Sequence, residues 1–142
     1  MNAPKPWTVA GLKKKVTLSR HFAAHGYKTY TTGKIYHTSG LPEGDFDVVG
    51  PRPGQRLKID QRLIASKKEG ANGLWDFGAQ LYDENLFQDH QTASWAIDQI
   101  QAHQTNKRTS ANPEGTKPFF MAIGFYRPHV PFYSPKKIFE QN

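Results

Sequence analysis

Two short segments of the chain carry a lysine and histidines in a pattern suited to binding an anion. In the first, Lys34 and His37 follow the run YKTYTT, whose aromatic and β-branched residues predict a strand. In the second, His129 follows the apolar run 118–125, whose length and composition are typical of a strand buried on both faces. Ligand sites gather at the carboxyl ends of strands in open α/β sheets. We therefore expect Lys34, His37 and His129 to converge on one oxyanion.

The segment around His129 is stiffened by the prolines on either side of it, Pro128 and Pro131. Proline fixes its own φ and disfavours helical backbone in the residue before it, which here affects Arg127 and Val130. His129 is therefore expected to sit on a rigid turn just beyond the strand. Arg127 is interpreted as a supporting or surface cation and is not assigned to the site.

The remaining pattern predicts the element order α-β-loop-α-β. A helix is expected over 17–25, with Thr17 or Ser19 as its N-cap and Gly26 as its stop. A longer helix is expected over 84–103, where apolar residues recur at near-helical spacing. The sequence thus predicts an α/β domain in which the two strands run parallel, joined by a right-handed crossover.

Residues 38–83 read as a long insertion between the two βα units. Its first part, 40–54, holds four glycines and three prolines, which disfavours regular structure. The insertion is also basic, through Arg52, Arg56, Lys58, Arg62, Lys67 and Lys68. Such a loop either contacts an anionic substrate or is simply a solvated charged surface, and the sequence leaves both interpretations open.

Composition limits the classes of protein that the chain can represent. Its 142 residues suffice for one ordinary domain, and 13% aromatic residues argue against a disordered chain. The formal net charge of +7 favours anionic partners. There is no cysteine, which excludes disulfides and thiolate metal sites. No apolar run reaches the ~20 residues of a membrane span, and the first fifteen residues lack the apolar core of a secretion signal.

Other candidate motifs fail on inspection. Gly33-Lys34 is not a phosphate-binding P-loop, because Lys28 stands where that motif needs glycine and Ile35 where it needs serine or threonine.

Two histidine-containing pairs could be mistaken for metal sites. His21 and His25 lie one helical turn apart, but neither has a carboxylate or thiolate beside it, so a surface or partly packed role is expected. The pair Asp89-His90 falls inside the second predicted helix, away from any strand end. We interpret Asp89 as a charge that suits the start of that helix, not as a metal ligand.

The paired motifs resemble one known family. Gly33-Lys34-x-x-His37, followed about ninety residues on by a Lys-Pro-Phe-Phe segment ending in Arg127-Pro-His129-x-Pro-Phe, resembles the type I sulfatases. The likeness is to the iduronate-sulfatase and choline-sulfatase-like branch, and extends from roughly Trp7 to the end of the chain. It implies a partial alkaline-phosphatase-like domain, with parallel strands and crossover helices over 1–142.

The resemblance also implies a chemistry. Sulfatases hydrolyse sulfate esters of small molecules or saccharides, and the resemblance makes Lys34, His37 and His129 candidate catalytic residues. Lys34 is expected to contact the sulfate oxygens, and His129 either to contact the sulfate or to protonate the leaving oxygen. His37 matches a residue that lies against the nucleophile and assists proton removal from it. The family uses Ca²⁺ and a formylglycine made from Cys or Ser in a Cys/Ser-x-Pro-x-Arg motif. This chain contains neither that motif nor an Asp-Asp pair. It is therefore expected to be an internal portion of a sulfatase, inactive alone, from a family that is typically periplasmic, secreted or lysosomal.

A second interpretation is a basic, non-catalytic module that binds nucleic acid or another polyanion, with structural histidines. The net charge of +7 suits this interpretation equally well. However, the aromatic residues lie inside apolar runs and do not alternate with Lys and Arg as a base-stacking platform would. The sulfatase interpretation is therefore preferred, with nucleic acid not favoured as a partner.

Overall fold

The computed structural model of the chain describes residues 8–12, 14–37, 40–52, 76–105 and 117–141. Its helices and strands, in chain order, are α1 (Leu18–Ala24), β1 (Lys28–Gly33), β2 (Val48–Val49), β3 (Phe77–Gln80), α2 (Gln88–Thr105), β4 (Phe119–Gly124), β5 (Phe132–Pro135) and α3 (Lys136–Phe139). A 3₁₀ turn, Glu84–Leu86, leads into α2. The predicted α/β class is confirmed.

The described strands form two parallel sheets. In the larger one the order is β2-β1-β4, and β1 runs parallel to β4 from the pair Lys28–Phe119 to the pair Gly33–Gly124. In the smaller one β3 pairs with β5. The predicted parallel arrangement of the first and last long strands is therefore confirmed, and their carboxyl ends lie at the same edge.

Helix α1 forms as its sequence predicts. The Thr17 side chain caps its start by accepting a hydrogen bond from the Arg20 amide at 3.4 Å. Beyond its end, Gly26 has a φ of 83°, the left-handed conformation that glycine adopts most readily. The Phe22 ring stacks on Phe120 of β4 with 4.6 Å between ring centres, which fixes this helix against the sheet.

The prediction that β4 is buried on both faces is wrong for the described chain. Most of its side chains are partly exposed, and Ile123 retains 39% of its exposed surface. The reason is position, because among the described strands β4 pairs only with β1 and forms an edge of the sheet. The apolar run specifies the strand but not the number of its neighbours.

The central strand β1 has a polar interior. Thr29, Thr31 and Thr32 are each no more than 2% exposed. The Thr29 amide and hydroxyl both donate to the Asp47 carboxylate, at 2.7 and 2.9 Å. The Thr29 amide is the main reason that the pKa of Asp47 is lowered from its ordinary value. Side-chain hydrogen bonding thus holds the segment before β2 against β1.

The region predicted as an insertion contains more regular structure than its composition indicates. Strand β2 pairs with β1, and β3, which the buried Asp76 directly precedes, pairs with β5. Asp76 accepts a hydrogen bond from the Tyr133 hydroxyl, and its carbonyl accepts one from the Phe132 amide at 2.8 Å. Of the six basic residues noted in this region, Arg52 is exposed and the other five lie outside the described residues.

Within the described ranges, no helix combines the length with the apolar character needed to cross a bilayer.

The end of the β1–β4 pairing yields a prediction about stability. A Cβ atom on Gly124 would lie 2.0 Å from the Lys34 carbonyl oxygen, a backbone atom that cannot swing aside. Gly124→Ala should therefore lower the free energy of unfolding by about 1–3 kcal/mol in urea denaturation. The control is Gly11→Ala, whose Cβ would meet nothing within 4 Å. Equal stability of the two variants would contradict this account of the strand ends.

Candidate functional site

The two parallel strands deliver their following residues to one edge of the sheet. At this edge the Lys34 amide donates to the Gly124 carbonyl at 2.6 Å, which extends the β1–β4 ladder by one bond. The close approach requires that both Gly33 and Gly124 lack a side chain. Lys34 therefore leaves β1 alongside the residues that leave β4.

The Tyr126 ring joins two of the predicted site residues. The Lys34 ammonium lies 4.6 Å from the centre of this ring, a cation–π contact. The His129 ring lies against the same Tyr126 ring, with 4.7 Å between centres and an interplanar angle of 37°. The structure thus brings Lys34 and His129 to a single aromatic side chain, although 95 positions of sequence numbering separate them.

The His129 imidazole has a defined orientation. Its Nδ1 lies 2.6 Å from the Val130 carbonyl oxygen, and since a carbonyl only accepts, Nδ1 is the donor. The Nε2 atom is then the one left to face a ligand, as an acceptor in the neutral ring and a donor in the imidazolium. The Arg127 guanidinium donates to the His129 carbonyl at 2.7 Å, so the predicted supporting role of Arg127 has a physical basis.

The third predicted residue, His37, is placed differently. It is exposed and lies in the bend that follows Lys34. The contacts described for the chain do not join it to Lys34, Tyr126 or His129. Its membership of the site stays a prediction.

A buried carboxylate holds the bend between Lys34 and His37. The Tyr36 hydroxyl donates to Asp45 at 3.2 Å, and the Thr17 hydroxyl donates to the same carboxylate. The Arg20 guanidinium lies 3.4 Å from it. Burial, and then the negative charge and hydrogen bond of Asp45, raise the pKa of the Tyr36 phenol. Tyr36 therefore ties the lysine-bearing bend to α1.

Asp89 has a role that the sequence did not reveal. Its two carboxylate oxygens accept the amides of Tyr126 and Arg127, at 2.7 and 2.9 Å. The only sequence signal was an acidic residue in the first turn of a helix, which indicates an interaction with the helix dipole. Its true partners lie 37 and 38 positions away, and nothing local specifies them.

The described residues were also tested as metal ligands. Within the described ranges, no three or more His, Cys, Asp or Glu side chains cluster closely enough to hold an ion. The centres of the His21 and His25 rings lie 4.3 Å apart, so the two rings pack against each other. The Nδ1 atom of His25 donates to the His21 carbonyl at 2.8 Å and is not available to bind a metal. The described residues therefore do not provide the set of oxygen ligands that calcium needs.

The fold and this edge define a class: an α/β protein that presents an ammonium and an imidazole together beyond two parallel strands. No family model matches the chain. Its sequence is similar to a sulfatase of Formosa agariphila, with 31% identity over 137 positions covering 90% of this chain and 25% of that protein. It is also similar to the uncharacterized sulfatase YidJ of Escherichia coli, with 27% identity covering 99% of this chain and 28% of that protein.

A third similarity is to iduronate 2-sulfatase of Mus musculus, with 27% identity over 130 positions covering 85% of this chain and 22% of that protein. The chain is thus related to the sulfatase family, and it spans about a quarter of the length of these relatives. The resemblance carried by the two histidine-containing motifs is confirmed.

The Tyr36–Asp45 contact yields a prediction about ionisation. Because the pKa of Tyr36 is raised above 10.0, the folded state holds the phenol proton more tightly than the unfolded chain. This contribution to stability is complete below pH 10 and is lost as the pH rises through the folded pKa. The ionisation of Tyr36 is isolated by subtracting the absorbance titration of Tyr36→Phe from that of the wild type. Its midpoint should lie above pH 10, and Asp45→Asn should lower this midpoint. Glu43→Gln is the control; an unchanged Tyr36 midpoint in Asp45→Asn would contradict the contact.

Proposed function

We propose that this chain carries the sulfate-binding part of a sulfatase, in which Lys34 and His129 hold the sulfate group of an ester substrate. The observation that carries the proposal is the shared contact of the Lys34 ammonium and the His129 ring with Tyr126. Relationship to the sulfatases supports the choice of sulfate over other oxyanions.

The two side chains offer complementary interactions. A sulfate monoester is an anion whose non-bridging oxygens need cations or hydrogen-bond donors around them. Lys34 supplies a compact charge with three rotatable N–H donors. His129, with Nδ1 committed to the Val130 carbonyl, offers Nε2–H in its imidazolium form, either to a sulfate oxygen or to the leaving oxygen.

Steps beyond binding are assigned by family relationship alone. His37 is proposed to act on the nucleophile side, from its exposed position in the same bend. The chain contains no cysteine, and none of its serines begins a Ser-x-Pro-x-Arg motif that could supply a formylglycine. We therefore assign the nucleophile and the Ca²⁺ ligands to parts of a sulfatase other than the one this chain spans, and hydrolysis to the whole enzyme.

The substrate class is a sulfate ester of a small molecule or saccharide. One relative is named as an iduronate 2-sulfatase and another only as a sulfatase. The names therefore agree on a sulfate ester as substrate but do not specify the alcohol that carries the sulfate. The net charge of +7 favours approach of such anions through long-range electrostatics.

The proposal predicts saturable binding of inorganic sulfate that depends on Lys34. In an NMR or calorimetric titration at constant ionic strength, Lys34→Gln should weaken binding about tenfold, because one charge-assisted hydrogen bond is lost. The matched control is Lys15→Gln, an exposed lysine outside the site whose loss changes net charge equally.

Two results would contradict the proposal. One is wild-type chain that shows no saturable sulfate binding. The other is equal weakening by Lys34→Gln and Lys15→Gln, which would show that sulfate responds only to overall charge. Tight and strongly salt-dependent binding of nucleic acid, with no sulfate site, would favour the basic-module interpretation.

A further inference from the structure

One carboxylate holds the backbone on which both cationic side chains depend. Asp89, in the first turn of α2, accepts the Tyr126 amide with Oδ1 and the Arg127 amide with Oδ2, at 2.7 and 2.9 Å. Each oxygen thus takes one of two consecutive N–H groups. Hydrogen bonds to an ionised acceptor are shorter and stronger than those between neutral groups.

The two amides belong to the residues that arrange the site. The Tyr126 ring contacts both the Lys34 ammonium and the His129 ring. The Arg127 side chain donates to the His129 carbonyl. Moving the backbone of Tyr126 and Arg127 would therefore move both Lys34 and His129 relative to each other.

By electrostatics alone, the negative charge of Asp89 should disfavour the binding of sulfate near it. A carboxylate close to an anion site repels the anion, and removing its charge should strengthen anion binding. In addition, successive free amides commonly form an anion-binding concavity, but these two are occupied by Asp89. An anion at this edge must therefore be held by side chains, and their placement depends on the turn that Asp89 fixes.

We propose that Asp89 is a positioning residue for the sulfate site, acting through Tyr126 and Arg127 on Lys34 and His129. This inference rests on the proposed function. It predicts that removing a negative charge beside an anion site weakens anion binding, which is the opposite of the simple electrostatic expectation.

The test compares Asp89→Asn with Asp98→Asn in the whole 142-residue chain, with inorganic sulfate as the probe. An asparagine side chain has one acceptor oxygen, so one of the two amides loses its partner. Asp98 is an exposed residue of the same helix, and its change alters net charge identically. Asp89→Asn should weaken sulfate binding about fivefold or more, and Asp98→Asn should leave it within about twofold of wild type.

A spectroscopic readout accompanies the titration. In the wild type the ¹⁵N shift of His129 Nδ1 should report a protonated nitrogen, because Nδ1 donates to the Val130 carbonyl. In Asp89→Asn, release of the turn should shift this signal toward a mixture of tautomers. General loss of helix or sheet structure would alter many signals, not that of His129 alone. Circular dichroism provides the control that the variant keeps its secondary structure.

The outcomes separate the inference from the proposed function. Sulfate affinity that is unchanged or increased in a folded Asp89→Asn chain overturns the positioning role. If wild type binds no sulfate, the proposed function fails, and an unchanged His129 Nδ1 signal then overturns the inference separately. If Asp89→Asn does not fold, Asp89→Glu is used, which keeps the charge but displaces the carboxylate by one methylene group. Weaker sulfate binding and a shifted His129 signal with an intact fold then support the role, whereas wild-type values of both overturn it.

Discussion

The parallel pairing of β1 with β4 is the constraint on which the candidate site depends. The register ends at Gly33 opposite Gly124, and the Lys34 amide continues the ladder to the Gly124 carbonyl. At this point the two backbones approach so closely that a Cβ on either glycine would lie 2.0 Å from a carbonyl oxygen of the other segment. Lys34 can reach the Tyr126 ring because the strands that precede these residues are locked in this register.

Around this pairing few hydrophobic side chains are buried, and hydrogen bonds to carboxylates fix the positions of the connecting segments. Among the described residues, the buried hydrophobic side chains are those of Phe87, Ala96 and Tyr133, whereas several buried residues are polar. Asp45 fixes the bend after β1, and Asp89 fixes the turn after β4. Asp45 is buried and Asp89 is partly buried, and hydrogen bonds satisfy both carboxylates, so each of these acidic residues specifies a local geometry. The candidate site thus combines a lysine and a histidine on two segments, each of which is held by hydrogen bonds to a carboxylate.

Local sequence signals predicted the elements that local interactions determine. The capping residue Thr17, the stop at Gly26 and the aromatic and β-branched run of β1 all act within a few positions. Helix α1 and strand β1 formed within one or two residues of their predicted bounds. The last strand was also predicted, but its exposure was not, because burial depends on the strands beside it. The two-residue strand β2 was not predicted, because it forms through pairing with β1 and through the hydrogen bonds of the preceding Asp47 with Thr29. Both are contacts with a segment distant in the sequence.

The site shows the same division. Residue type and strand-end position selected Lys34 and His129 as candidates; the structure places both against the Tyr126 ring, and their role in sulfate binding stays a prediction. Neither the mediating role of Tyr126 nor the clamp formed by Asp89 was predicted. Both depend on contacts between segments distant in sequence, and a tyrosine or an aspartate has no local pattern that identifies such a partner.

The most direct measurement of the central claim is a crystal structure of the chain grown with selenate, an isostere of sulfate whose selenium is located by anomalous scattering. The account predicts one selenium peak with selenate oxygens about 3 Å from both Lys34 Nζ and His129 Nε2. A structure in which the anion binds elsewhere, or in which Lys34 and His129 lie on separate faces of the molecule, would contradict it.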